Sequence, residues 1–163
     1  GCSTRKQTTR TNVITYMAEH NIIGQKGEEV AAEVMRKKGF RVVDTNWKFG
    51  HLEMDVIAVN RKEIAFVEVK TRTTSFGGKR PEEYVDELKR RRMAAAANAY
   101  IKFHKIELTP RFDIIGISMD PNTYEVKELT HLEDAFLPPQ RTIGKSSFSG
   151  QGRWKHRGRV IGR

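Results

Sequence analysis

The stretch Ile64-Ala65-Phe66-Val67-Glu68-Val69-Lys70 decides the fold. Its first four residues are apolar on both alternating faces, the pattern of a central strand covered on both sides. Glu68 and Lys70 continue it on one face, because side chains along a strand repeat every two residues. At a rise of ~3.3 Å per residue, their β-carbons stand roughly 6–7 Å apart. Ionised groups at the end of a buried strand are costly to desolvate unless something compensates them. A divalent metal beside Glu68 and a phosphate beside Lys70 would supply that compensation.

The run before it, His51-Leu52-Glu53-Met54-Asp55-Val56-Ile57-Ala58, alternates, which predicts that Glu53 and Asp55 face the same way. Asp55 precedes Glu68 by thirteen residues, the separation of neighbours across a hairpin closed by Asn60-Arg61-Lys62. Two carboxylates on adjacent strands form a hard oxygen site suited to Mg2+ or Mn2+. Such an ion acts as a Lewis acid, and Lys70 is then expected to orient a nucleophile or stabilise developing negative charge. The same residues also admit a plain reading, an ion pair at a strand end with Asp55 capping the hairpin.

Further out, the period changes. From Gly24 to Lys38, Val30, Ala31, Val34 and Met35 recur at helical spacing, and Gly39 suits a left-handed cap. Strands are predicted near Phe40–Phe49, Leu52–Val59 and Glu63–Thr71. Thr73 to Lys79, with Gly77-Gly78, reads as a mobile loop. Pro81 is expected to open a long helix reaching about Lys105, followed by strands near Phe112–Ser118 and Tyr124–Leu129. The order is α-β-β-β-α-β-β, an α/β fold whose central mixed sheet is flanked by helices.

The formal net charge of +10 invites a nucleic-acid reading, but its position qualifies it. Residues 1–16 carry three bases and residues 139–163 carry seven, with no acid in either segment. The chain between them is formally neutral. Residues 1–16 are accordingly read as a disordered arm or an engineered remnant, with Met17 as the natural start. Residues 17–137 form the expected folded domain that carries the carboxylate site, and 138–163 a basic disordered tail that is poor in apolar residues. Phe148 and Trp154 among the tail's bases would allow single-strand binding by stacking and charge, and an inert tail fits equally.

Other functions are excluded or weakened. No run approaches the ~18 apolar residues of a membrane span. The single cysteine, Cys2, leaves no internal disulfide, and a reducing cytoplasm is the expected compartment. His51-Leu52-Glu53 matches a zinc deaminase H-x-E, but the required P-C-x-x-C is absent. In Lys89-Arg90-Arg91-Arg92, Asp86 and Glu87 precede Arg90 and Arg91 by four residues, which favours a solvated, salt-bridged helix face. Thr71, Arg72 and Lys79, which lead from the carboxylates into the glycine loop, are the better phosphate candidates.

At these residues the chain resembles the PD-(D/E)xK nuclease superfamily and its restriction endonuclease-like core. More closely it resembles the YraN-type family of small bacterial proteins. The likeness rests on Gly24-x-x-Gly27-Glu28, Asn46-Trp47, Glu53-Met54-Asp55-Val56-Ile57-Ala58, Phe66-Val67-Glu68-Val69-Lys70-Thr71-Arg72, Phe76-Gly77, Lys89 and Arg111-Phe112-Asp113. It covers roughly residues 24–136. It implies metal ligation by Asp55 and Glu68, with the Val69 carbonyl as a further ligand, and the catalytic-lysine role for Lys70. It also implies that Glu28, read as a first-turn acid of its helix, holds a water or second metal, and that Lys89 contacts nucleic acid. Met54 stands where the superfamily pattern has proline.

The function expected on these grounds is Mg2+-dependent hydrolysis of DNA phosphodiester bonds. Similarity of the core to archaeal Holliday-junction resolvases extends this to branched or processed DNA and to a homodimer, by fold analogy alone. The alternative is a non-catalytic nucleic-acid-binding or accessory protein that keeps the fold.

Overall fold

The computed structural model describes residues 3–137, with side chains described for 12–80 and 83–137. The elements run α1 (Ser3–Lys37), β1 (Arg41–Phe49), β2 (Leu52–Val59), β3 (Glu63–Arg72), a 3-10 turn (Pro81–Tyr84), α2 (Glu87–His104), β4 (Thr109–Met119) and β5 (Val126–Leu132). The five strands form one sheet in sequence order. Strands β3 and β4 pair in parallel and every other neighbouring pair is antiparallel. The connection between the parallel strands carries α2, as a crossover requires.

Alternation along β3 builds the two layers. Ile64 and Phe66 turn to one face, where they pack with Phe112, Ile114 and the α2 residues Met93, Ala97 and Tyr100. Ala65 and Val67 turn to the other, against Ala31 and Met35 of α1. Both faces of β3 are therefore covered, as its apolar run predicts. The alanines of α2 bring its backbone close to the sheet, leaving room for Tyr100, whose hydroxyl donates to Asp44 at 2.9 Å.

Turn chemistry follows the side chains available. Gly39, at φ +90°, ends α1, and the Phe40 amide returns to the Met35 carbonyl. Asn60 closes the β2–β3 hairpin by accepting from the amides of Lys62 and Glu63. Asp120 accepts from the amides of Asn122 and Thr123 before β5.

Two helical expectations need correction. The first helix does not begin near Gly24 but at Ser3, so helix replaces the aperiodic arm expected over much of residues 1–16. No proline or glycine interrupts residues 3–23, and helix continues there although Val13, Ile14, Tyr16 and Met17 stay exposed. The second helix does not begin at Pro81. That residue opens a separate 3-10 turn, and Asp86 then caps α2 by accepting from the Lys89 amide at 2.8 Å. The tail expected at 138–163, with Phe148 and Trp154, lies outside the described residues.

Gly27 sits inside α1 for a packing reason. A β-carbon there would overlap the Thr71 side chain, so the bare backbone lets α1 rest against the end of β3.

Candidate active site

The site arises where the β2–β3 ladder stops. Pairing between these strands ends at Val56–Val67, although the register would bring Asp55 opposite Glu68. Beyond that point the Val69 amide donates to the Asp55 carboxylate at 2.8 Å. A side chain thus satisfies the amide and leaves a gap between the strands. Strand β2 continues past the gap paired with β1 alone, through Trp47–Met54, Lys48–Glu53 and Phe49–Leu52.

Strict alternation fails at the same place. Met54 packs with the α2 layer and Val56 with the α1 layer, so the expectation that Glu53 and Asp55 share a face by simple parity does not hold. The cause lies opposite. Asn46, between the Thr45–Val56 and Trp47–Met54 pairs of β1–β2 that bracket Asp55, adopts a left-handed conformation at φ +51°, a region asparagine tolerates better than most residues. Its side-chain amide donates to Glu28 of α1.

Glu68 and Lys70 share a face as expected, with Lys70 Nζ 3.5 Å from Glu68 Oε1. Glu68 is almost wholly buried, at 3% exposed. Its other oxygen, Oε2, lies 3.2 Å from Lys89 Nζ, but the geometry makes no hydrogen bond and leaves that buried oxygen without one. Burial first, and then repulsion from Asp55, push the Glu68 carboxyl up to about 7, against the pull of Lys89 and Lys70.

The other expected residues separate into groups. Glu28 lies mid-helix, because α1 begins at Ser3, so the helix-dipole argument for a first-turn acid falls. It nonetheless belongs to this neighbourhood: burial and the charges of Asp55 and Glu53 raise its carboxyl, while Asn46 and Lys48 oppose the rise. A depression lined by Gln25, Glu28, Thr45 and Asn46 opens beside it. Thr71 faces α1 at Gly27, away from the Glu68–Lys70 face. Arg72 stacks on the Tyr84 ring at 3.8 Å, and Lys79 lies 5.7 Å from the same ring.

Lys89 corrects the reading of the basic run. It leaves the solvated face and reaches into the gap, 3.7 Å from Glu53 and 3.2 Å from Glu68. Arg91 alone makes the expected pair with Glu87, at 2.7 Å. Arg90 is turned back on the Val85 carbonyl and the Phe136 ring. Helical periodicity could not separate these neighbours, because the break at Asp86 fixes their phase. Asn46 and Tyr84 were given no role by sequence reasoning. Asn46 had one sequence signal, its place in the Asn46-Trp47 pair of the family likeness, whereas the ring of Tyr84 beneath an arginine shows only in three dimensions.

Among the described residues, no group of three or more His, Cys, Asp or Glu side chains could by itself hold a metal ion. The donors present, Asp55 and the unsatisfied oxygen of Glu68, fit an ion such as Mg2+, which takes one or two carboxylates and completes its shell with water and phosphate. No helix among the described residues is long and apolar enough to cross a membrane.

The buried carboxylate also sets a stability trend. Because the folded-state value is raised, its contribution favours folding fully below about pH 4.5 and fades as pH rises toward 7. Glu68→Gln should abolish that fall and be more stable than wild type at pH 8 without metal, by on the order of 2 kcal/mol. Melting curves from pH 4.5 to 8 measure it; parallel wild-type and variant profiles would contradict it.

The element order and the five-stranded mixed sheet between two helices are those of a restriction endonuclease-like α/β core. A family model described as "Uncharacterised protein family UPF0102" matches residues 27–117. A UPF0102 protein of Parabacteroides distasonis is 42% identical over 125 residues, covering 77% of this chain and all of that relative. Its counterpart in Bacteroides thetaiotaomicron is 38% identical over 123 residues, covering 76% and 98%. One from Flavobacterium psychrophilum is 37% identical over 121 residues, covering 74% and 98%. The chain belongs to the UPF0102 family, the YraN-type family that its motifs resemble.

Proposed function

We propose that this protein is a Mg2+- or Mn2+-dependent nuclease that hydrolyses DNA phosphodiester bonds. The observation that carries the reading is the buried Glu68 oxygen without a hydrogen bond, set beside Asp55 in a gap between strands. That oxygen has the Lys89 ammonium beside it as an ion pair but no well-aligned hydrogen bond, so it keeps lone-pair capacity that a ligand can use. Asp55 and Glu68, with the Val69 carbonyl implied by the family likeness, would hold the ion. When bound, the ion polarises a phosphoryl oxygen and lowers the pKa of water. Lys70, on the same face as Glu68, steadies the nucleophile or the negative charge that develops on phosphate. Arg72, on the same strand face two residues beyond and held by the Tyr84 ring, meets a neighbouring phosphate. Glu28 holds a water at the far side of the gap.

One observation favours the non-catalytic alternative. Lys70 and Lys89 both flank Glu68, so its charge has partners without any metal. Calorimetry with Mn2+ separates the two. Wild type should take up the ion at one site and release a proton near pH 7, since Glu68 must ionise to bind. Asp55→Ala should lose most of that affinity. Wild type that binds no Mn2+ would refute the enzymatic reading.

A further inference from the structure

Past the gap, β1 and β2 leave the sheet as a two-stranded ribbon. The last β2–β3 pair is Val56–Val67, whereas β1–β2 pairing runs on to Phe49–Leu52. Leu52 is three residues from Asp55, about 10 Å along the strand. The ribbon closes through Gly50, at φ +60°, and His51, a two-residue turn with glycine at the position that needs it. At its tip, Phe49 is 60% exposed. It is not a loose side chain: its ring lies parallel to Trp47, with centroids 6.2 Å apart and 11° between planes, and Trp47 in turn packs on Tyr100.

We propose that this ribbon tip, with Phe49 at its centre, stacks on an unpaired base where a DNA duplex opens next to the carboxylate gap. An exposed planar ring at a ribbon tip, set nearly parallel to a second ring, offers a surface on which a base can stack. Parity within β1 turns Phe49 the same way as Trp47, toward the layer in which Glu68 and Lys70 lie. A continuous duplex offers no base face to such a ring, so the substrate class is a fork, flap or junction. This deepens the nuclease reading and rests on it for the identity of the ligand.

The test measures full-length protein by anisotropy, without divalent metal, on a labelled forked DNA and on a blunt duplex of equal length. Wild type should prefer the fork. Phe49→Leu, which keeps an apolar group but no ring, should weaken fork binding about tenfold and change duplex binding less than twofold. Phe49→Trp should retain the preference. Equal losses on both DNAs, no loss on the fork, or a wild type indifferent to the fork would overturn the proposal. So would a changed sedimentation mass for Phe49→Leu with unchanged fork affinity, because Phe49 would then serve a second copy of the chain. Mn2+ uptake in the same preparations separates the two readings. A protein that binds forks through Phe49 without taking up metal loses the nuclease reading alone.

Discussion

Lys70→Ala should lower metal-dependent cleavage of DNA by roughly 10²–10⁴-fold while leaving Mn2+ affinity within a few-fold of wild type. The split follows from geometry. Lys70 lies 3.5 Å from one oxygen of Glu68, whereas the unsatisfied oxygen is the other one. Removing the ammonium therefore leaves the donors for the ion in place and takes away the cation that the proposed mechanism assigns to the nucleophile or the phosphate. Lys70 is partly exposed, so its loss should not unfold the chain. Single-turnover cleavage of linear, flapped and four-way DNA, with calorimetry on the same samples, measures both halves. Equal loss of metal binding and cleavage would make Lys70 a structural partner of Glu68 only.

Asp113→Ala should cost about 3–5 kcal/mol of folding stability. Asp113 is fully buried and accepts from Arg111 at 2.9 Å, from the Asp134 amide at 3.0 Å and meets His131 Nε2 at 2.7 Å. Lys38, just after α1, contacts the other ring nitrogen of His131 at 2.8 Å, so the cluster joins the α1–β1 corner to β4 and β5. An ammonium can only donate, which leaves Nδ1 as acceptor and puts the proton on Nε2, toward Asp113. Without the carboxylate, Arg111 keeps only the more exposed Glu63 at 3.2 Å and Glu133 at 3.5 Å, and faces the Phe40 ring with one buried donor already unsatisfied. Urea unfolding measures the loss. Arg111→Met in the same chain should recover part of it, since it removes the stranded charge; strict additivity of the two changes would disprove the coupling.

Much of the fold was legible because β3 announces itself. Ile64 to Val67 can only be a strand covered on both faces, and the boundaries of β2 and the turn at Asn60 followed from alternation and asparagine chemistry. The pairing of Glu68 with Lys70 came from the same period of two. What failed was local. Pro81 marks a helix start in sequence, and nothing in the letters says that Asp86 caps a second one five residues later. The parity break at Asp55 depends on a left-handed Asn46 in another strand, so no reading of β2 by itself could reveal it. Lys89 looked like its arginine neighbours because helix phase was set from the wrong start. Glu28 entered through family likeness, and its actual approach to the site depends on how closely α1 can lie on β3.

That last distance is governed by a methyl group that is not there. Gly27 precedes Glu28 by one residue, and any side chain at 27 would have to displace Thr71, which neighbours Lys70 on β3. The glycine is therefore a ruler: it sets the height of the helix above the strand, and with it the reach of an acid that the gap receives from the opposite layer. A designer wishing to retune this centre could enlarge position 27, which would lift the helix and draw Glu28 away from the gap while leaving Asp55, Glu68 and Lys70 unchanged.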